Sequence, residues 1–248
     1  MTRRTIEISY KIVVIFSLCL GIFLNLINTS SRKALMSYYT LQSNLICLIA
    51  FVIIVVLKIR KKNDNNEIYF LVKGAVTIAI VITAVVYHVA LAPNNFVMDS
   101  LQNSIANKVL ADTFVHTISP ILVVIDYFLF DEKGNMKYYY PVIWLIIPLN
   151  YVVYVYTYSN FGGRFYSIGG SKKFAYFFLD YTKIGCKGVA TWLLFIALAI
   201  LAISEVFVLI DRKLKGKKVK FKKWKAYWKV ELAWFARLFS FIKKKFKM

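Results

Sequence analysis

Six apolar stretches, each of about 20 residues and divided by short polar or charged segments, constrain this chain more than any other feature. Hydrocarbon offers no partner to a backbone amide, so such a stretch crosses it only as a helix that satisfies its own N–H and C=O groups. The expected spans are about Tyr10 to Asn28, Tyr38 to Leu57, Ile68 to Ala92, Val109 to Phe130, Tyr139 to Tyr156 and Val189 to Ile210. Pro93 closes the third and Pro148 interrupts the fifth. The expected fold class is therefore all-α, a polytopic membrane protein with about six transmembrane helices over residues 1–211 and a basic amphipathic tail over residues 212–248. A hydrophobic content of 59% in 248 residues agrees, because a soluble domain needs more polar cover. The first stretch, opened by Arg3 and Arg4, ends in Asn28-Thr29-Ser30-Ser31 without a small-residue cleavage site, and reads as an anchor.

The formal net charge of +21 first suggests nucleic acid. Its placement argues otherwise, since the basic residues crowd between Arg212 and Lys247, directly after an apolar span. There Phe221, Trp224, Trp228, Leu232, Phe235 and Phe239 recur at three- and four-residue steps among lysines, the pattern of an amphipathic helix on a membrane surface. Anionic lipid headgroups are the expected partners, and no nucleic acid is expected. Arg3, Arg4, Lys58, Arg60, Lys61, Lys62, Lys133 and Lys137 on one side of the spans nearly balance Arg32, Lys33, Lys108, Arg164, Lys172, Lys173, Lys183 and Lys187 on the other, and it is the tail that places both termini in the cytoplasm of a multi-pass cell-membrane protein. Cys19, Cys47 and Cys186 are far apart and form no CxxC pair, so neither a disulfide framework nor a metal site is expected, and no cofactor is implied. No repeat of fixed period is visible, so inverted transporter repeats are not supported. The glycine-containing segment Ser159 to Lys187 is too polar to span and reads as an interfacial loop or short helix on the outer side.

Ionisable groups within spans are costly and therefore informative. Both histidines, His88 and His116, fall in spans, at depths that allow one shared layer near the outer side. Asp112 precedes His116 by one helical turn and is positioned to fix its tautomer. Thr40, Ser43 and Asn44 lie at the corresponding end of the second span. A hydroxyl becomes a nucleophile when a base takes its proton, and Thr40 with His116 supplies that pair. Asn44 and His88 are candidate donors to a developing oxyanion. Asp126 reads as interfacial and Glu205 as a contact between helices. Threonine and asparagine in spans also serve simply to bond helices together. Two further readings therefore stand beside a hydrolase: non-catalytic transport or ligand binding through the histidine layer, and a structural membrane component recruited by its tail.

The order of short motifs on successive spans resembles the androgen-induced protein family, in its bacterial six-span branch. The pieces are Tyr38-Tyr39-Thr40-Leu41-Gln42-Ser43-Asn44, Tyr87-His88, and His116-Thr117-Ile118-Ser119-Pro120. Pro148 to Tyr151, and Tyr176-Phe177-Phe178-Leu179-Asp180 followed by Gly185, are similar too. Animal members of that family are threonine hydrolases of fatty acid esters of hydroxy fatty acids. The resemblance thus implies a lipid ester substrate, with Thr40 as nucleophile and His116 as base.

Overall fold

The structure is a computed structural model of the chain and describes residues 2–29, 31–60, 66–94, 105–167 and 170–215. The expected amphipathic helix of the tail, from about Phe221 to Phe246, lies outside the described residues. Among the described residues six helices are long and apolar enough to cross a membrane: Arg3–Ile27, Tyr39–Ile59, Glu67–Leu91, Val109–Phe130, Tyr140–Asn160 and Tyr181–Leu214. The chain is an all-α, multi-pass membrane protein. Lipid-facing positions carry large apolar side chains, among them Phe16, Ile53, Val153 and Phe195, all more than half exposed.

Helix α1 (Arg3–Ile27) starts where the Thr2 hydroxyl accepts from the Thr5 amide, and a short α2 (Arg32–Met36) is capped in the same way by Ser31. Next come α3 (Tyr39–Ile59) and α4 (Glu67–Val86). Helix α4 continues through a π-helical turn at Tyr87–Leu91 into a 3₁₀ turn at Ala92–Asn94, where Pro93 ends the span. The fourth span is α5 (Ile105–Thr113), a π-helical turn at Phe114–Ile118, and α6 (Ser119–Phe130). The fifth is split into α7 (Tyr140–Trp144) and α8 (Ile146–Asn160). The break at Leu145 follows from Pro148, which has no N–H to give the Trp144 carbonyl and crowds it. The last span, α9 (Tyr181–Leu214), bends at Gly185, whose φ of 69° favours glycine.

Helix α1 packs on α3, α5 and α6, and α4 packs on α3, α6, α7 and α9. Two glycines set close crossings. A Cβ at Gly74 would lie 2.1 Å from the Trp144 ring, whose Nε1 donates to the Leu71 carbonyl at 3.0 Å. A Cβ at Gly21 would lie 2.9 Å from Val115, beside the second π turn. The segment expected as a loop or short helix after Ser159 instead holds a β-hairpin of β1 (Phe165–Ser167) and β2 (Gly170–Lys172), pairing Phe165 with Lys172, then a 3₁₀ turn at Phe177–Leu179. Helix begins at Tyr181, eight residues before the expected Val189, because Asp180 caps it through the Thr182 amide at 3.1 Å. The bundle has two ends: a terminal face, where α1 starts and α9 stops, and a distal face that carries this hairpin.

Candidate functional site

Near the distal face, Thr40 and His116 meet. Thr40 is the second residue of α3, which begins after an extended Tyr38 that provides no side-chain cap. His116 sits in the π turn of the fourth span, so the extra residue in that turn aims its ring across to α3. Thr40 Oγ1 and His116 Nε2 are 3.1 Å apart, and the residues are 3% and 1% exposed. His116 Nδ1 lies 3.1 Å from the Asp112 backbone carbonyl, an oxygen that can only accept. Nδ1 therefore holds the proton, which leaves the Nε2 lone pair to accept from the Thr40 hydroxyl. The Tyr87 ring, from the other π turn, stacks on the imidazole at 3.7 Å and 10°.

The supporting residues take roles different from those read in the sequence. The Asp112 carboxylate, expected to orient the imidazole, is 4.0 Å from Nδ1; the backbone carbonyl of the same residue is nearer and does it. Asn44 spends its amide hydrogens on the Thr40 and Val115 carbonyls at 2.8 and 3.2 Å, so it ties α3 to the π turn and has none left for an oxyanion. Ser43 Oγ sits 3.0 Å from the Thr40 carbonyl and 2.6 Å from Thr83 Oγ1, joining α3 to α4. His88 shares the layer but not the pair: it is exposed, with Nε2 3.0 Å from Thr117 Oγ1.

Thr40 also forms part of the wall of a small pocket of about 60 Å³ between α3, α4, α8, α9 and the segment before α9. Its lining is almost wholly apolar, including Ile82, Val86, Leu91, Val152, Leu193 and Ile196. Tyr39, Tyr151 and Tyr176 also line the cavity. Burial pushes the Tyr176 phenol up to about 12, so it stays neutral and able to donate at working pH. Sequence periodicity gave no hint of Tyr176, because the segment before α9 has no helical repeat that would aim a residue at Thr40.

A second polar cluster lies toward the terminal face. Lys11 of α1 contacts both carboxylate oxygens of Asp126 at 2.8 Å, and Lys73 of α4 contacts the second at 2.5 Å. All three side chains are fully buried, with Glu7 3.4 Å from Lys11 and Asp131 3.7 Å from Lys73. The Lys73 ammonium also lies 3.9 Å from the centre of the Phe51 ring. Asp126, read in the sequence as interfacial, is thus the centre of a buried ion network. Ser17 and Ser119, 2.8 Å apart, continue the line of polar contacts toward His116. Glu205 is buried on α9, compatible with a contact between helices. Among the described residues no group of three or more His, Cys, Asp or Glu side chains could hold a metal ion.

No protein-family model matches this chain, and neither does any curated protein or solved structure.

Proposed function

We propose that this protein is an intramembrane hydrolase of lipid esters, in which Thr40 attacks the acyl carbon and His116 takes its proton. The observation that carries the reading is the 3.1 Å contact between a buried threonine hydroxyl and the unprotonated nitrogen of an oriented histidine, at the wall of an apolar pocket. A helix-bonding threonine would more simply return its proton to its own backbone, as Thr77 does to Lys73 and Thr83 to Ala79. In the reaction the Thr40 Oγ1 bond to carbon forms as its proton passes to His116 Nε2. The alcohol then leaves with that proton, and His116 activates water to release the acid. A fatty acid ester of a hydroxy fatty acid suits the apolar lining, and the resemblance to the androgen-induced family supports the same assignment.

The positive side chains at the terminal face, Arg3, Arg4, Lys58, Arg60 and Arg212 among them, support cytoplasmic termini in the cell membrane. With that orientation the pocket sits in the outer half of the bilayer and the tail meets anionic lipid on the inner surface. The test is turnover of long-chain esters by the purified protein in detergent. Thr40→Ala and His116→Ala should each lower kcat by at least about 10³-fold, because nucleophile and base act as a unit, with the melting temperature close to wild type. No wild-type turnover across a broad acyl panel, or full activity in Thr40→Ala, would overturn the reading. A proton or ligand site at the histidine layer would then explain the geometry better.

A further inference from the structure

A second hollow, far larger than the pocket beside Thr40 and sharing no residue with it, opens on the lipid-facing side of the bundle. It is a groove of about 490 Å³ between α3 and α4, and among the described residues these two helices and the Asn66 cap of α4 supply its whole lining. Its floor is buried, with Ala50 and Ile54 from α3 and Val76 from α4. On its rims Ile49, Ile53 and Val72 are 52%, 53% and 45% exposed. The α3 lining recurs at one-, three- and four-residue steps from Ile46 to Leu57, a stripe along one helix face. Lys73 belongs to the same wall, with its ammonium spent on Asp126.

In a bilayer this groove opens onto hydrocarbon, and neither water nor a void suits it. An apolar hollow gives water no hydrogen-bond partners, and an empty one forfeits the dispersion contacts of its walls. Its length indicates what fits. Eleven helical steps from Ile46 to Leu57, at about 1.5 Å each, span about 16 Å. That is about half of the ~30 Å hydrocarbon thickness, the reach of an acyl chain within one leaflet.

The end of the groove near the terminal face is cationic. Leu57 is followed at the next helical step by Arg60, the C-cap of α3, which is exposed and forms no ion pair with another described residue. Lys61 and Lys62 follow it in sequence, against one acidic residue, Asp64. Glu67, next to Asn66, is already paired with Lys137 and accepts from the Tyr139 hydroxyl at 2.7 Å. A zwitterionic headgroup would set its own cation among these charges, whereas an anionic one would not.

We propose that the groove between α3 and α4 binds one acyl chain of an anionic phospholipid from the leaflet at the terminal face, with Arg60 meeting its phosphate. The chain completes the wall that the two helices leave open and covers the Lys73 side of the ion network. This site is separate from the surface expected for the tail, and it does not depend on the hydrolase reading, which uses the other cavity.

The test places the full chain in phosphatidylcholine nanodiscs containing a trace of phosphatidylglycerol with a diazirine halfway along one acyl chain, or of phosphatidylcholine labelled in the same way. Adducts are located by mass spectrometry. Those of the phosphatidylglycerol label should concentrate on residues 46–57 and 68–76, above their density on Leu194, Phe195 and Leu198 of α9, which also face lipid. In the groove this label should outdo the phosphatidylcholine label about fivefold, the worth of one basic contact, while on α9 the two should be equal. Arg60→Gln should bring them to parity in the groove. Ile53→Trp together with Val72→Trp, one on each exposed rim, should remove most groove adducts of both labels without touching those on α9. Ala50→Phe, which fills the groove from its floor, should do the same. Groove adducts no denser than those on α9, the result expected if the tail or a second copy covers the groove, overturn the proposal. So do equal labelling by both lipids in wild type, or groove adducts that survive the rim substitutions.

Discussion

Toward the distal face Thr40 meets His116 with neither group formally charged, whereas toward the terminal face Lys11 and Lys73 close on Asp126 with full charges and no exposure. The two clusters differ in what surrounds them. The ion cluster pairs Lys11 of α1 and Lys73 of α4 with Asp126 of α6, and Glu7 extends it to Lys58 of α3, so it fixes how these helices sit. In the neutral pair His116 is held from behind by Asp112 and Tyr87, and Thr40 lines an apolar cavity in front. A polar group that serves the fold is turned toward partners within it. One arranged for chemistry keeps a side for the substrate.

That contrast predicts opposite phenotypes, and the largest effect should come from Asp126. Asp126→Asn removes the charge that two buried ammonium groups share and leaves them the more distant Glu7 and Asp131 carboxylates, so a loss of about 3–5 kcal/mol is expected. Thermal unfolding in detergent should show it, while turnover per folded molecule stays close to wild type. Replacing the group together, Lys11→Met, Lys73→Met and Asp126→Leu, should recover much of that stability, because no buried charge is then left unpaired. If Asp126→Asn unfolds no more easily but removes activity, the ion cluster belongs to the function. A transport reading would then gain on the hydrolase.

The sequence carried the spans well because apolar length is a local property: the fourth runs Val109–Phe130 as expected, and the second is displaced by only one or two residues at its ends. The last span was shortened in the reading, since Tyr181 to Lys187 is too polar to look buried and its start depends on the Asp180 cap. The Thr40 and His116 pair was legible because each lies at the same depth on a helix of known direction. Lys11 was passed over, as one lysine at the edge of an apolar run looks like a surface group until Asp126 is seen opposite. His88 and Asn44 show the other limit. Depth can be read from sequence, but which side of the helix faces Thr40 depends on two π turns that periodicity at 3.6 residues does not anticipate.

A middle-sized effect is expected where the terminal face is tied off. Asp211 of α9 accepts from the Tyr127 hydroxyl at 2.5 Å and from the Gly134 and Met136 amides at 2.8 and 3.0 Å. It thereby holds the connection between α6 and α7 to the end of the last span. Asp211→Asn exchanges one acceptor oxygen for a donor facing these hydrogens, which should cost about 1.5–3 kcal/mol. Hydrogen exchange at Gly134 and Met136 should rise in the variant while the amides of the first turn of α3 keep their protection. Joint loss of protection at both ends would mean that the two clusters are coupled, against the separation argued above.

The smallest effect should come from Asp112, and it bears directly on how His116 is oriented. Where a carboxylate holds a catalytic imidazole, replacing it with the amide costs on the order of 10⁴-fold in kcat by favouring the wrong tautomer. Here the orienting acceptor is the Asp112 backbone carbonyl at 3.1 Å, with the carboxylate at 4.0 Å. Asp112→Asn leaves that carbonyl in place, and the π turn that presents it depends on the backbone and not on the side chain. Turnover should therefore stay within about threefold of wild type, since the Nδ1 proton keeps its acceptor. A loss of 100-fold or more would move the orienting role to the carboxylate. The histidine would then be held by a charge, and the neutral character that separates this site from the ion cluster would not hold.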